Sequence, residues 1–494
     1  MEQTKKRFLK NMVGFSLVAW ISFAIGFISS PIGTRLFTPA EMGKIDMFNR
    51  IATLIASFCY LGLDQAFVRF FQEPPGGRSR KSMFTFCTVT SLGFSLFASL
   101  LLLVGWRTLS ARVVGTPDMG IFLCLGIFSF CCVLFRYLSL CYRMEQNAKL
   151  YTIQGVVHVV LTKIAYLSVG FGSAEGRTAV LWLTLLMGAF TLVCIVIQRN
   201  RFNFGFLGEM NKPFLREMSA FAAPLIPVTI VSALNNAVSP IVLSDLMDYA
   251  AVGIYGSAVT LASTVNIIQT GFNTYWAPYV YENYQNDNKR RFFTVHRLMA
   301  CLLTLFGLGV TLLQAPVFLL LGKAFRGSVV FFPFLFLAPI CYCLSETTGM
   351  GIGIAKKTYW NSLVFLASVL ANLGLSYILI PEMGAAGAAL ASALAAVLSL
   401  VFRTWAGERY YKAIGNYRYV AYTVGLLMAA SFGNLWLAHL PVLKYAVLLL
   451  IFALACFLFR REIIQLWQTV VQVVKEGKSA LTRRVQAEKG GQGE

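Results

Sequence analysis

Fourteen apolar stretches run through the chain, each close to the roughly 20 residues that an α-helix needs to cross a bilayer core. They fall at 12–36, 46–70, 82–106, 119–142, 150–172, 178–198, 219–243, 249–276, 295–321, 329–352, 359–381, 384–404, 418–438 and 441–459. Hydrocarbon offers the backbone no hydrogen-bond partners, so stretches of this kind fold as helices. The expected class is an all-α, polytopic membrane protein of about 14 transmembrane helices. Composition agrees: 57% of residues are hydrophobic and 13% charged, about half the charged share of a soluble domain. The stretches at 46–70, 249–276 and 329–352 carry the most polar residues.

A net charge of +21 on a soluble chain would suggest nucleic acid as a partner, but its placement here says otherwise. When the loops are assigned alternately to two sides, 30 of the 42 Lys and Arg residues fall on the side of the termini, eight on the other and four within spans. Basic residues collect on the cytoplasmic side of membrane proteins, so both termini are expected there, in the cell (cytoplasmic) membrane. An odd miscount of spans would invert the alternation and destroy the asymmetry. The basic start, with Lys5, Lys6, Arg7 and Lys10 ahead of an apolar run, imitates a signal peptide. That run, Met12 to Ser30, is too long for one and lacks an A-x-A site, so it reads as a retained first span.

No loop is long enough for a separate folded domain; the longest, 199–218, has roughly 20 residues. Ile463, Trp467, Val470, Val471 and Val474 follow helical spacing and are read as an amphipathic helix on the cytoplasmic surface or against a partner. Residues 477–494 are polar and glycine-rich and are expected to be disordered. A weak internal repeat relates Ser30-Pro31, Gly43 and Thr53-Leu54 to Ser239-Pro240, Gly253 and Thr260-Leu261. Transporters are often built from such repeats, with the substrate held between them.

Catalytic motifs of soluble enzymes are missing: the sequence has no G-x-S-x-G, P-loop, H-E-x-x-H or C-x-x-C. The three histidines, His158, His296 and His439, lie far apart, and the 11 cysteines lack zinc-ligand spacing and read as small core residues. No catalytic residue, metal or cofactor is expected. The informative residues are polar groups inside spans, which are costly in lipid and face a cavity or a partner. Lys163 is about ten residues from either end of its span, too deep to reach the headgroups easily, and is assigned to a cavity. Arg50 lies in the second span four residues after Asp46, so it either pairs with that carboxylate or lines a cavity. Arg35, Arg69 and Arg136 lie nearer span ends, where snorkelling competes with a functional role. Asp64 has Arg69 or a neighbouring helix as candidate partners. Glu346 reads as a coupling-ion site or a buried partner of Lys163, and the sequence does not choose. Asn235, Asn236, Asn266, Gln269 and Asn273 gather in the seventh and eighth spans. Asn266, Gln269 and Asn273 share one helical face, suited to sugar hydroxyls or to helix–helix hydrogen bonds.

Three motifs carry a family resemblance. Gly33-Thr34-Arg35-Leu36-Phe37-Thr38-Pro39-Ala40-Glu41-Met42-Gly43 resembles the link between the first two helices of polysaccharide flippases. Leu61-Gly62-Leu63-Asp64, followed by Arg69-Phe70-Phe71, is similar to the end of their second helix. Ile380-Pro381-Glu382-Met383-Gly384-Ala385-Ala386-Gly387 and its continuation look like their eleventh-to-twelfth helix junction. These proteins belong to the multidrug/oligosaccharidyl-lipid/polysaccharide (MOP) exporter superfamily. The resemblance implies two six-helix lobes, 1–200 and 201–412, two additional transmembrane helices over 413–460 and a cytoplasmic tail over 461–494. It also implies flipping of a polyprenyl-pyrophosphate-linked oligosaccharide between leaflets, without enzymatic activity. Partners would be that lipid-linked substrate, membrane lipids and other polysaccharide-assembly membrane proteins. On that reading Arg50, Lys163, Arg35 and Arg136 are pyrophosphate candidates, Asn235, Asn266, Gln269 and Asn273 glycan candidates, and Asp64 and Glu346 coupling-ion candidates. The alternatives are a cation-coupled multidrug exporter of the same superfamily, or a membrane enzyme or scaffold of glycan assembly.

Overall fold

In the computed structural model, residues 2–468 and 471 are described, apart from 204, 206–210, 287, 288, 358 and 413. Among them secondary structure is helical throughout. Among the described residues, nine helices, some with a short break, are long and apolar enough to cross a membrane, and two bent pairs bring the number to 11. Three further helical rods, 2–36, 249–283 and 418–436, make up the rest of the sequence expectation; these carry more polar residues or a break. Val470 and Val474 of the expected surface helix, and the tail 477–494, lie outside the described residues; 461–468 are helical.

The first half contains α1 (Glu2–Leu36), α2 (Pro39–Cys59), α3 (Leu63–Phe70), α4 (Arg80–Leu102), α5 (Trp106–Val114), α6 (Met119–Met144), α7 (Ala148–Lys163) and α8 (Gly176–Gln198). The second contains α9 (Lys212–Ala222), α10 (Ile226–Leu246), α11 (Tyr249–Ala262), α12 (Val265–Asn283) and α13 (Lys289–Leu312). After the kinked segment Lys323–Val330 come α14 (Leu337–Thr348), α15 (Tyr359–Met383), α16 (Ala385–Tyr410), α17 (Arg418–Trp436) and α18 (Pro441–Leu458).

Helix starts follow local chemistry. Pro39 and Tyr249 open α2 and α11, each behind a side chain that caps the first turn. Thr38 accepts from the Glu41 amide at 3.4 Å, and Asp248 from the Ala251 amide at 2.7 Å. The second span is broken because Gly62 takes φ +69, a conformation without side-chain strain only for glycine, and α3 leaves α2 at 56°.

The two halves meet where α2 crosses α11. A side chain on Gly43 would overlap the Tyr249 carbonyl, and one on Gly253 would overlap the Pro39 carbonyl. The contact is reciprocal: Pro39 precedes Gly43 by the same interval as Tyr249 precedes Gly253. The two glycines of the internal repeat thus face each other across the crossing. Ties cluster at this end of the bundle. Arg112 meets Asp245 at 3.3 Å, the Tyr249 hydroxyl donates to the Ala111 carbonyl at 2.7 Å, and the Gly322 amide donates to Thr34 Oγ1 at 3.1 Å.

Candidate functional site

Beyond the glycine crossing, α2 and α10 diverge around a cavity of about 830 Å³. Its wall is made by α1, α2, α3, α7, α10 and α11, with hydroxyls and amides from Ser22, Asn49, Thr53, Thr229, Ser232 and Asn236. Among the described residues, the ionisable groups in this wall are Asp46, Arg50 and Lys163. A cavity whose described lining holds one carboxylate, one guanidinium and one ammonium carries a net positive charge. That is suited to an anion, which would otherwise be buried at a cost of many kcal/mol.

Arg50 is anchored at the end nearest the crossing. Its Nε donates to Asp46 Oδ2 at 2.8 Å, one turn back on α2, and Nη1 donates to the Asn236 carbonyl of α10 at 2.8 Å. It therefore joins the two halves while keeping 19% of its side chain open. Lys163 ends α7, where the fifth span changes from α to 3-10 geometry. The unpaired carbonyls of a helix C-terminus favour a cation there. The Lys163 side chain is exposed to the cavity and forms no hydrogen bond or ion pair among the described residues. The sequence assigned Lys163 to a cavity and left Arg50 between the Asp46 pair and a cavity; Arg50 makes the pair and lines the same space as Lys163.

A second cavity of about 580 Å³ lies within the second half. Arg50, Ser232, Asn236, Val259 and Ser263 line both, so the two spaces adjoin at Arg50. Of the amides singled out from the sequence, Asn235, Asn266 and Gln269 line the second cavity. Asn273 lies outside it, with Oδ1 buried and unpartnered among the described residues. Tyr342, Phe365 and Asn372 also line it, although no sequence signal had set them apart.

The remaining candidates are placed elsewhere. Arg35 is exposed in the last turn of α1, away from both cavities. Arg136 reaches across from α6 to α3, with Nη2 2.9 Å and Nε 3.2 Å from Asp64 Oδ2, so the partner of Asp64 is on a neighbouring helix rather than at Arg69. Glu346 is engaged by Arg403 of α16 at 2.7 Å, not by Lys163, beside a pocket of about 70 Å³. Asp64 is only 4% exposed in its side chain, and its second oxygen is unpartnered among the described residues. Arg136→Ala should therefore leave the buried carboxylate without a counter-ion, held only by the Gln65 amide at 2.9 Å, and cost about 2–3 kcal/mol, less than the fully buried case because Arg136 is 40% exposed. The Asp64→Asn/Arg136→Gln pair should cost less. Thermal unfolding of both in detergent checks this, and equal midpoints for the two would contradict it.

This is an all-helical fold with a polar cavity between its two halves. The chain belongs to the polysaccharide biosynthesis protein family, whose sequence profile matches residues 8–284. Among solved structures, lipid II flippase MurJ in an inward closed conformation superposes with a TM-score of 0.63 at 13% identity, covering 91% of this chain and 99% of that one. An inward-facing multidrug resistance MATE family transporter of the MOP superfamily gives 0.56 at 14% identity over 79% and 95% of the two chains. An outward-facing one gives 0.52 at 15% over 83% and 96%. At these identities the likeness is one of fold. No curated protein sequence matches the chain significantly.

Proposed function

We propose that the protein translocates a polyprenyl-pyrophosphate-linked oligosaccharide repeat unit from the inner to the outer leaflet of the cytoplasmic membrane, for surface polysaccharide biosynthesis. The observation that carries this reading is the convergence of Arg50 and Lys163, from α2 and α7, on one cavity lined by neutral polar groups. Two fixed cations replace water around the diphosphate, amides and hydroxyls replace it around the sugars, and the lipid tail stays outside in the bilayer. Both termini face the cytoplasm. The lobes 1–200 and 201–412 rock about the site, opening it to each leaflet in turn, while 413–460 add two outer helices. An inside-negative potential drives the anion outward by about 2.3 kcal/mol per charge per 100 mV, so the cycle needs no ATP.

The test is complementation of a strain that lacks its own polysaccharide flippase. Expression of this chain should restore surface glycan and clear the lipid-linked intermediate from the inner leaflet. Drug resistance without restored glycan would instead identify a multidrug exporter.

A further inference from the structure

We infer that the second cavity is a sugar subsite selective for uncharged sugars, and that it receives the residue joined to the diphosphate while the diphosphate stays with Arg50 and Lys163. This deepens the flippase reading and rests on it.

Three observations converge. First, the cavity adjoins the cationic one at Arg50, so a group bonded to a diphosphate held there has this space directly beside it. Second, Asn235 and Gln269 line the space and have no protein hydrogen-bond partner among the described residues. Unsatisfied amides at membrane depth are costly, and sugar hydroxyls or an acetamido group would satisfy them. The neighbouring polar groups are already fixed: Asn372 bonds Ser239 at 3.2 Å, Ser239 bonds Ser392 at 2.9 Å, and Tyr255 meets Ser392 at 3.3 Å. This gives a rigid wall facing two free amides. Third, the rings of Tyr342 and Phe365 lie 6.4 Å apart with 28° between their planes, an apolar platform for the face of a pyranose.

The selectivity follows from charge. Arg50, at the junction, is the one charged residue among the described lining residues. Glu346 and Arg403, associated with Tyr342, neutralise each other at 2.7 Å. With Arg50 engaged by Asp46 and the diphosphate, a uronic acid or a free amino sugar in this space would be buried without a counter-ion of its own. A neutral hexose or N-acetylhexosamine would not.

The test measures binding to the full-length chain in lipid nanodiscs. The ligands are a short-chain polyprenol, its diphosphate, and the diphosphate bearing an N-acetylhexosamine, a uronic acid or a free hexosamine. The neutral sugar should tighten binding about tenfold over the bare diphosphate, the worth of one or two net hydrogen bonds. The charged sugars should add less than twofold. Gln269→Ala and, separately, Asn235→Ala should lose most of the neutral-sugar increment, with folding checked by thermal midpoint. Equal increments for neutral and charged sugars would overturn the inference, as would an increment untouched by either variant. If the diphosphate binds no better than the polyprenol, and Lys163→Ala changes nothing, the flippase reading itself fails and the subsite with it.

Discussion

Lys163→Ala is expected to reduce glycan export about 10- to 100-fold while leaving the amount of protein in the membrane unchanged. A hydrogen bond to a charged group contributes about 1.5–3 kcal/mol, and losing one at a fixed site loses that share of the binding. Lys163 is the cleanest residue for this experiment because it has no hydrogen bond or ion pair among the described residues, so its removal leaves no group stranded. Lys163→Glu, which reverses the charge next to Asp46 and Arg50, should abolish export. Arg50→Ala should lose at least as much activity, but with a stability cost, since Asp46 and the Asn236 carbonyl both lose their donor. Surface glycan per copy of protein is the readout. Wild-type export from both alanine variants would remove the diphosphate from this cavity.

Gly43→Val, or Gly253→Val, should fail in a different way. No rotamer helps at either site, because the first side-chain carbon already overlaps a backbone carbonyl of the facing helix. In each case the Cβ position is also closer than ordinary van der Waals contact to the opposing glycine nitrogen, 3.1 Å from Gly253 N and 2.9 Å from Gly43 N. On the proposed topology, with both termini cytoplasmic, the start of α2 lies at the outer side, so the crossing closes the cavity there and the substitution forces the helices apart. Export should fall to background although Arg50 and Lys163 remain. A membrane-impermeant thiol reagent added outside should label Ser232→Cys in the cavity wall when Gly43→Val is present and much less when it is absent. Nine of the 11 native cysteines are buried, which keeps the background low. Equal labelling in the two backgrounds would mean that the crossing is not the closure.

Much of this was legible in the sequence, and the reasons differ by residue. Span order came through because apolar length is dictated by the bilayer and not by tertiary contacts. Lys163 was legible because a cation so far from either interface has few alternatives, and the Arg50–Asp46 pair because it follows the spacing of a single helix. Contacts between helices distant in the chain were beyond the same reasoning. Nothing local told Asp64 to choose Arg136 over Arg69, or Glu346 to pair with Arg403 of α16. The hydroxyls of the cavity were also hidden. Thr229 satisfies itself on the Leu225 carbonyl four residues back at 3.0 Å, as serines and threonines in membrane helices commonly do. Such residues line a cavity and leave no mark in hydropathy. The bend at Gly62 was quoted within a family motif but not read as a break, because its cause is backbone conformation rather than apolar pattern.

The most direct measurement is a structure of the protein in nanodiscs with a short-chain polyprenyl diphosphate carrying one neutral sugar. The account predicts two phosphorus peaks between the Arg50 guanidinium and the Lys163 ammonium, with Arg50 drawn away from the Asn236 carbonyl to meet them. Phosphates found instead at the basic loops, with Arg50 still bonded to that carbonyl and Lys163 facing an empty cavity, would contradict it.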